Sequence, residues 1–248
     1  MNIEVLDDAD AVALRAAETL VEVVEEARAD QRPASVALSG GSTPRRLFRI
    51  LADVYRGRVD WERVRIFFGD ERNVAADHED SNYRTARELL LSKVPIREDR
   101  IHRMEAAGEE IDRGAASYEE ALRRFLPRAD GDVPVLDLVW LGMGDDGHTA
   151  SLFPLTRALE VVDRWVVANE VPQLGTRRMT LTFPLLNAAR RVQFLVTGRG
   201  KAAIVQDILG GESGRAGLTY PAARVLPASG QLDWLLDREA AAELKADG

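Results

Sequence analysis

The sequence has 248 residues, 46% hydrophobic and 30% charged, a balance that supports a full core without disulfide or metal staples. Its 41 acidic against 33 basic side chains leave a net charge of −8, which argues against a nucleic-acid or anionic-membrane partner, since both need a basic surface. Cysteine is absent, so thiol catalysis, disulfides, iron–sulfur clusters and thiolate zinc sites are excluded.

In chain order, residues 1–10 are polar and acidic, unlike a secretory signal. No apolar run approaches the ~18 residues of a membrane helix, so a cytoplasmic protein is expected. Residues 7–30 read as an amphipathic helix with Leu14, Ala17, Leu20, Val21 and Val24 at helical spacing. Residues 36–38 form a short apolar strand that runs into Ser39-Gly40-Gly41-Ser42-Thr43-Pro44. Thr43 is placed as the N-cap of the next helix, with Pro44 at its first position.

A second strand, 64–68, ends at Gly69-Asp70-Glu71-Arg72, and helices are expected over 81–92 and 114–126. A third strand, 136–141, opens into Gly142-Met143-Gly144-Asp145-Asp146-Gly147-His148. Further strands are predicted at 165–168, 179–183 and 192–196, with a helix from Lys201 and a mostly helical tail beyond Gln231. Apolar strands alternating with amphipathic helices indicate an α/β fold, a mainly parallel sheet with helices on both faces. One domain over 1–248 is the simplest organisation, with small inserted strands near 155–180.

Three glycine-marked segments, 39–44, 69–72 and 142–148, each follow an apolar strand. Carboxyl ends of strands are where such sheets bind ligands. In the first, Gly40 and Gly41 let the backbone approach an anion, and a helix start offers free N–H groups beside Ser42 and Thr43. An ordinary strand-to-helix turn would look the same. Asp70-Glu71-Arg72 reads either as a solvated charge run or as a proton-relaying Asp70 beside an anion-binding Arg72. Asp146-Gly147-His148 is the strongest catalytic candidate. A carboxylate on one imidazole nitrogen fixes the tautomer and leaves the other nitrogen as a base. The alternative is a capping Asp with a structural His.

His78, in an acidic loop, and His102, beside Arg100 and Arg103, are expected at the surface. Asp77, His78 and Asp80 give only a weak metal signal, and no established ligand spacing exists. Arg178 and Lys201 flank predicted elements and read by composition as surface cations.

The pieces SGGSTP (39–44), FFGDER (67–72), DHEDSNY (77–83), LGMGDDGHTASLFP (141–154), RMTLTFPLLNAAR (178–190) and TGRGKA (197–202) together resemble the 6-phosphogluconolactonase family, in family order over roughly residues 35–205. The resemblance implies a three-layer, Rossmann-like fold shared with amino-sugar-phosphate deaminases. It also implies hydrolysis of the δ-lactone of 6-phosphogluconate without cofactor or metal. In that picture Gly40, Gly41, Ser42, Thr43, Arg178 and Lys201 hold a phosphate. His148 is the general base oriented by Asp146, while Asp70 and Arg72 line the pocket.

The deaminases look similar at SGGSTP and DGH, but with the prolines aligned their glutamate falls on Phe153, which carries no acid–base group. Their DEY is likewise Asp70-Glu71-Arg72 here. A sugar-phosphate-sensing module is the non-enzymatic alternative, and the acidity and lack of spare length for a DNA-binding segment speak against it. The expected partner is a small phosphorylated sugar lactone, bound by a monomer or small homo-oligomer.

Overall fold

The structure, a computed structural model, describes residues 1–128, 132–210 and 220–244. Its centre is a six-stranded sheet in the order β1 (Asn2–Leu6), β9 (Gln231–Asp237), β8 (Arg191–Val196), β5 (Leu138–Leu141), β2 (Ala34–Leu38), β3 (Val64–Phe68). Every pairing in it is parallel. β2 and β5 are buried at every position. Their uninterrupted apolar runs are what a sheet covered on both faces demands. The architecture is the expected three-layer, Rossmann-like α/β fold.

Helix α1 (Ala9–Ala29) starts where the Asp8 carboxylate accepts from the N–H groups of Asp10 and Ala11, both at 2.9 Å. It buries Val12, Ala16, Leu20, Val23 and Val24, and packs on β9 and on α2 (Ser42–Asp53). Leu14, assigned to the apolar face by spacing, is instead exposed. Thr43 is not the N-cap of α2 either. Gly41 occupies that position at φ 113°, without a side-chain cap, and Thr43 Oγ1 meets Thr197 Oγ1 at 2.8 Å.

Residues 81–92 divide into α3 (Asn82–Ala86), capped by Ser81, and a wider π-type turn over Arg87–Leu91. Helices α4 (Ile111–Phe125) and α6 (Ala202–Leu209) lie close to their predicted positions. A four-residue helix, α5 (Phe183–Leu186), precedes β8.

The sequence did not disclose β1, a five-residue strand that buries none of its side chains fully. It also presented the tail as helical, whereas Gln231–Asp237 is strand β9, buried at six of its seven positions. Among the described residues, no helix is long and apolar enough to cross a membrane.

A second, antiparallel sheet joins β4 (Asp70–Arg72), β7 (Thr176–Leu181) and β6 (Val166–Val171). Gly69 hands the chain from one sheet to the other. Its N–H donates to Leu38 O at 2.8 Å, and its carbonyl accepts from Leu181 N at 2.9 Å. The site therefore lies where two sheets meet.

His102 is not a free surface residue. Its ring stacks between Phe67 (4.9 Å) and Phe125 (4.5 Å), and its Nε2 accepts from Arg65 at 3.0 Å. Burial, followed by the Arg65 charge, pushes its pKa down to about 4. Between pH 6.5 and 4 the unfolded chain binds the proton and the folded chain resists it, so stability falls as pH falls through that window. The ring is half exposed, and solvent screening limits the effect to roughly 1–2 kcal/mol. His102→Phe keeps the stack and should flatten this part of the pH dependence of the urea midpoint. An unchanged dependence in the variant would refute that origin.

Candidate active site

β2 has β3 on one side and β5 on the other, so the loops leaving β2 and β5 separate at a crevice. A cleft of about 250 Å³ opens there. One wall is the turn of Gly40, Gly41, Ser42 and Thr43 at the start of α2, where no side chain caps the first-turn N–H groups. Asp70 and Arg72 of β4 and Arg178 of β7 come from the second sheet. His148 and Lys201 complete it. All three strand-end segments thus reach one cavity.

Asp146 is the one predicted residue that does not line it, because it stands behind the imidazole. Its Oδ1 lies 2.6 Å from His148 Nδ1 and also accepts the His148 backbone N–H at 3.1 Å. A carboxylate there assigns the proton to Nδ1 and leaves Nε2 as an acceptor. The ring is further fixed by stacking on buried Phe153, with centroids 4.0 Å apart. The turn is closed by Gly144 N to His148 O (2.9 Å) and Gly147 N to Gly144 O (3.1 Å). Gly147 adopts φ 76°, and a Cβ there would meet the Tyr220 ring at 2.5 Å. Only glycine fits both demands.

The cationic side is built from strand register: Arg72 and Arg178 are paired residues of β4 and β7. Burial, then the neighbouring Arg72 charge, depresses the Arg178 guanidinium below its usual value. The Nε atoms of both arginines are buried without a hydrogen-bond partner. Arg72 also donates to Asp80 O at 2.6 Å, and the Arg178 guanidinium stands 5.9 Å from the Phe153 ring centroid. Two like charges so placed favour an anion between them.

Lys201, half-buried, forms an ion pair with exposed Asp145, which holds the Asp145 carboxyl below its ordinary range. An anion entering the cleft competes with that partner.

Asp70 is buried, with Oδ2 accepting from Ser151 Oγ at 2.6 Å and Oδ1 from Asn82 Nδ2 at 3.1 Å. Glu71, also buried, accepts from the N–H groups of Arg72, Asn82 and Tyr83, each at 2.8 Å, and from Ser81 Oγ at 3.1 Å. Burial pushes its carboxyl up while the backbone donors oppose the shift, and the residue anchors the start of α3.

Sequence reasoning passed over Asn82, Ser151, Thr197 and Ser39, whose buried hydroxyl lines the cleft without a partner. All four lie inside the quoted motifs, where only their tertiary contacts distinguish them. His78 is exposed and is not part of this cleft's lining, and among the described residues no group of three His, Cys, Asp or Glu side chains is placed to hold a metal ion.

The sequence model of the family described as "Glucosamine-6-phosphate isomerases/6-phosphogluconolactonase" matches residues 7–234. A 6-phosphogluconolactonase from Synechocystis sp. is 40% identical over 98% of each chain. One from Mycobacterium tuberculosis is 37% identical, again over 98% of both. The solved 6-phosphogluconolactonase of Trypanosoma brucei superposes with a TM-score of 0.85 at 33% identity, covering 98% of each chain.

Proposed function

Since the chain belongs to the glucosamine-6-phosphate isomerase/6-phosphogluconolactonase family, we propose that its cleft hydrolyses 6-phospho-D-glucono-1,5-lactone to 6-phosphogluconate, a step of the oxidative pentose phosphate route, through a water activated by His148. The observation that carries it is the His148–Asp146 pair, at 2.6 Å, on the same cleft as the 40–43 turn and Arg178.

The first-turn N–H groups, Ser42, Thr43, Arg178 and Lys201 hold the phosphate, while Arg72 adds positive charge along the wall. Water attacks the lactone carbonyl as His148 Nε2 takes its proton, and Asp146 stabilises the imidazolium through Nδ1–H. The tetrahedral oxyanion then expels the ring oxygen, which takes the proton back and becomes the sugar hydroxyl. No covalent nucleophile is needed, and no cofactor or metal enters the proposal. We place the enzyme in the cytoplasm as one domain, a monomer or small homo-oligomer, without nucleic-acid or membrane partners.

Acid release from freshly generated lactone in a pH-stat, above the spontaneous rate, tests the activity. Release of ammonium from glucosamine 6-phosphate in place of it would overturn the assignment. Lys201→Ala should raise KM about 10–100-fold with kcat changed far less, the worth of a charge-assisted bond to a phosphate held equally in ground and transition states. An unchanged KM would remove Lys201 from the phosphate site.

A further inference from the structure

We infer that Asn82, Asp70 and Ser151 form a positioning brace that sets the distance between the phosphate turn and the His148 base. The inference rests on the lactonase assignment and deepens it, because the brace joins the two halves of that cleft.

At one end, Asn82 stands against the phosphate turn. A Cβ on Gly40 would lie 2.0 Å from Asn82 Oδ1, so the amide is in direct contact with the Gly40 backbone. In the middle, Asn82 Nδ2 donates twice to Asp70, to its backbone carbonyl at 3.0 Å and to Oδ1 at 3.1 Å. Glu71 fixes the Asn82 backbone by accepting its N–H, so this side chain has little freedom.

At the other end, Asp70 Oδ2 takes the Ser151 hydroxyl at 2.6 Å. Ser151 is itself immobilised. Its N–H donates to Thr180 Oγ1 at 3.1 Å, and its carbonyl accepts from Asn169 Nδ2 at 2.9 Å. Two residues on, Phe153 carries the His148 ring stacked upon it. The line from Gly40 through Asn82, Asp70, Ser151 and Phe153 to His148 is therefore continuous, and Asn82, Asp70 and Ser151 are buried.

Buried polar contacts of this kind are costly to leave half made and define one geometry when complete. The substrate is anchored at its phosphate and reacts at its distant carbonyl, so the separation of anchor and base controls the reaction. Displacing a reacting group by about 1 Å costs on the order of 10²-fold. Both oxygens of Asp70 are already accepting bonds, so it serves as a strut, a positioning residue acting through its neighbours rather than a proton carrier.

The test compares kcat, KM, pH–rate profiles and thermal melts of Asn82→Ala, Ser151→Ala and Asp70→Asn with the parent. Asn82→Ala and Ser151→Ala, assayed well below their melting temperatures, should each lose about 10–10²-fold in kcat with KM moved less than about threefold. Asp70→Asn should lose less than Asn82→Ala. Its amide oxygen can accept from Asn82 while its NH₂ donates to the Ser151 hydroxyl, which accepts as readily as it donates. Its pH–rate profile should keep every limb of the parent's.

If Asp70→Asn loses more than Asn82→Ala and drops a limb of the profile, Asp70 transfers a proton and the brace is wrong. If Asn82→Ala and Ser151→Ala lower only the melting temperature, the contacts are structural and the inference falls. Should one of these two fail to fold, the other decides. Turnover in the parent with undiminished variants overturns the brace alone, whereas absence of lactone turnover in the parent overturns both readings.

Discussion

His148→Asn is expected to fold as the parent does, to bind 6-phosphogluconate, and to lose roughly 10²–10⁴ in kcat, the usual worth of a general base. Folding should survive because the ring is about one-third exposed and contributes only a stack on Phe153 and one bond to Asp146. An asparagine can reach the Asp146 carboxylate with its amide and reproduce that bond. It has no nitrogen that accepts a proton on the opposite side, where the water must stand.

Neither remaining histidine can substitute. His102 is held between two phenylalanines with its Nε2 occupied by Arg65, and His78 lies in an exposed loop. Stopped assays with freshly made lactone, beside calorimetric binding of 6-phosphogluconate, separate chemistry from binding. Near-normal turnover in the variant would end the mechanism proposed for His148.

Gly144→Ala is the second large effect, and it acts without replacing either catalytic side chain. A Cβ at this position would lie 2.1 Å from His148 Nδ1 and 2.8 Å from Asp146 Oδ1, which no relaxation of a few tenths of an ångström absorbs. Gly144 is itself tied down by the bond from its N–H to His148 O. The imidazole must therefore leave Asp146, and with it the fixed tautomer and the alignment of Nε2. A loss of about 10²–10³ in kcat follows, with KM changed much less, because the phosphate turn lies on a different strand end. Activity within threefold of the parent would show that the pair does not need this geometry.

The parts of the molecule that were legible in the sequence share one property: local pattern decides them. β2 and β5 are short apolar runs because both faces are covered, and the glycine turns that follow them mark the cleft. β9 was misread because Gln231–Asp237 packs apolar and polar side chains alike into the core, including buried Asp233 and Asp237, so it lacks a strand's alternation. Thr43 looked like a helix cap until its hydroxyl proved to be bonded to Thr197, 154 positions away.

Asn82 and Ser151 carried no signal for the same reason, since a Ser or an Asn becomes a strut only through the residue it meets. Lys201 read as a surface cation by composition, and only the family motif lifted it out. The ion pair with Asp145 was visible to neither kind of reasoning, because it depends on where two loops end in space.

The pairing of β1 with β9 has a consequence for how the protein is made. Asn2 lies opposite Asp233, so β1 has no partner on the ribosome until a strand 231 positions later (233 − 2) has been synthesised. At about 5–20 residues per second that wait is on the order of 10–50 s. During it, the apolar stripe of α1 meets α2 early but lacks its seat on β9. A sheet closed by its most distant segments has high contact order and assembles late and slowly. The waiting strand carries a single charge, Glu4, among Ile3, Val5 and Leu6, and Ile3 and Val5 stay exposed even in the finished sheet, so until β9 arrives it is an apolar edge open to pairing with its neighbours on a polysome.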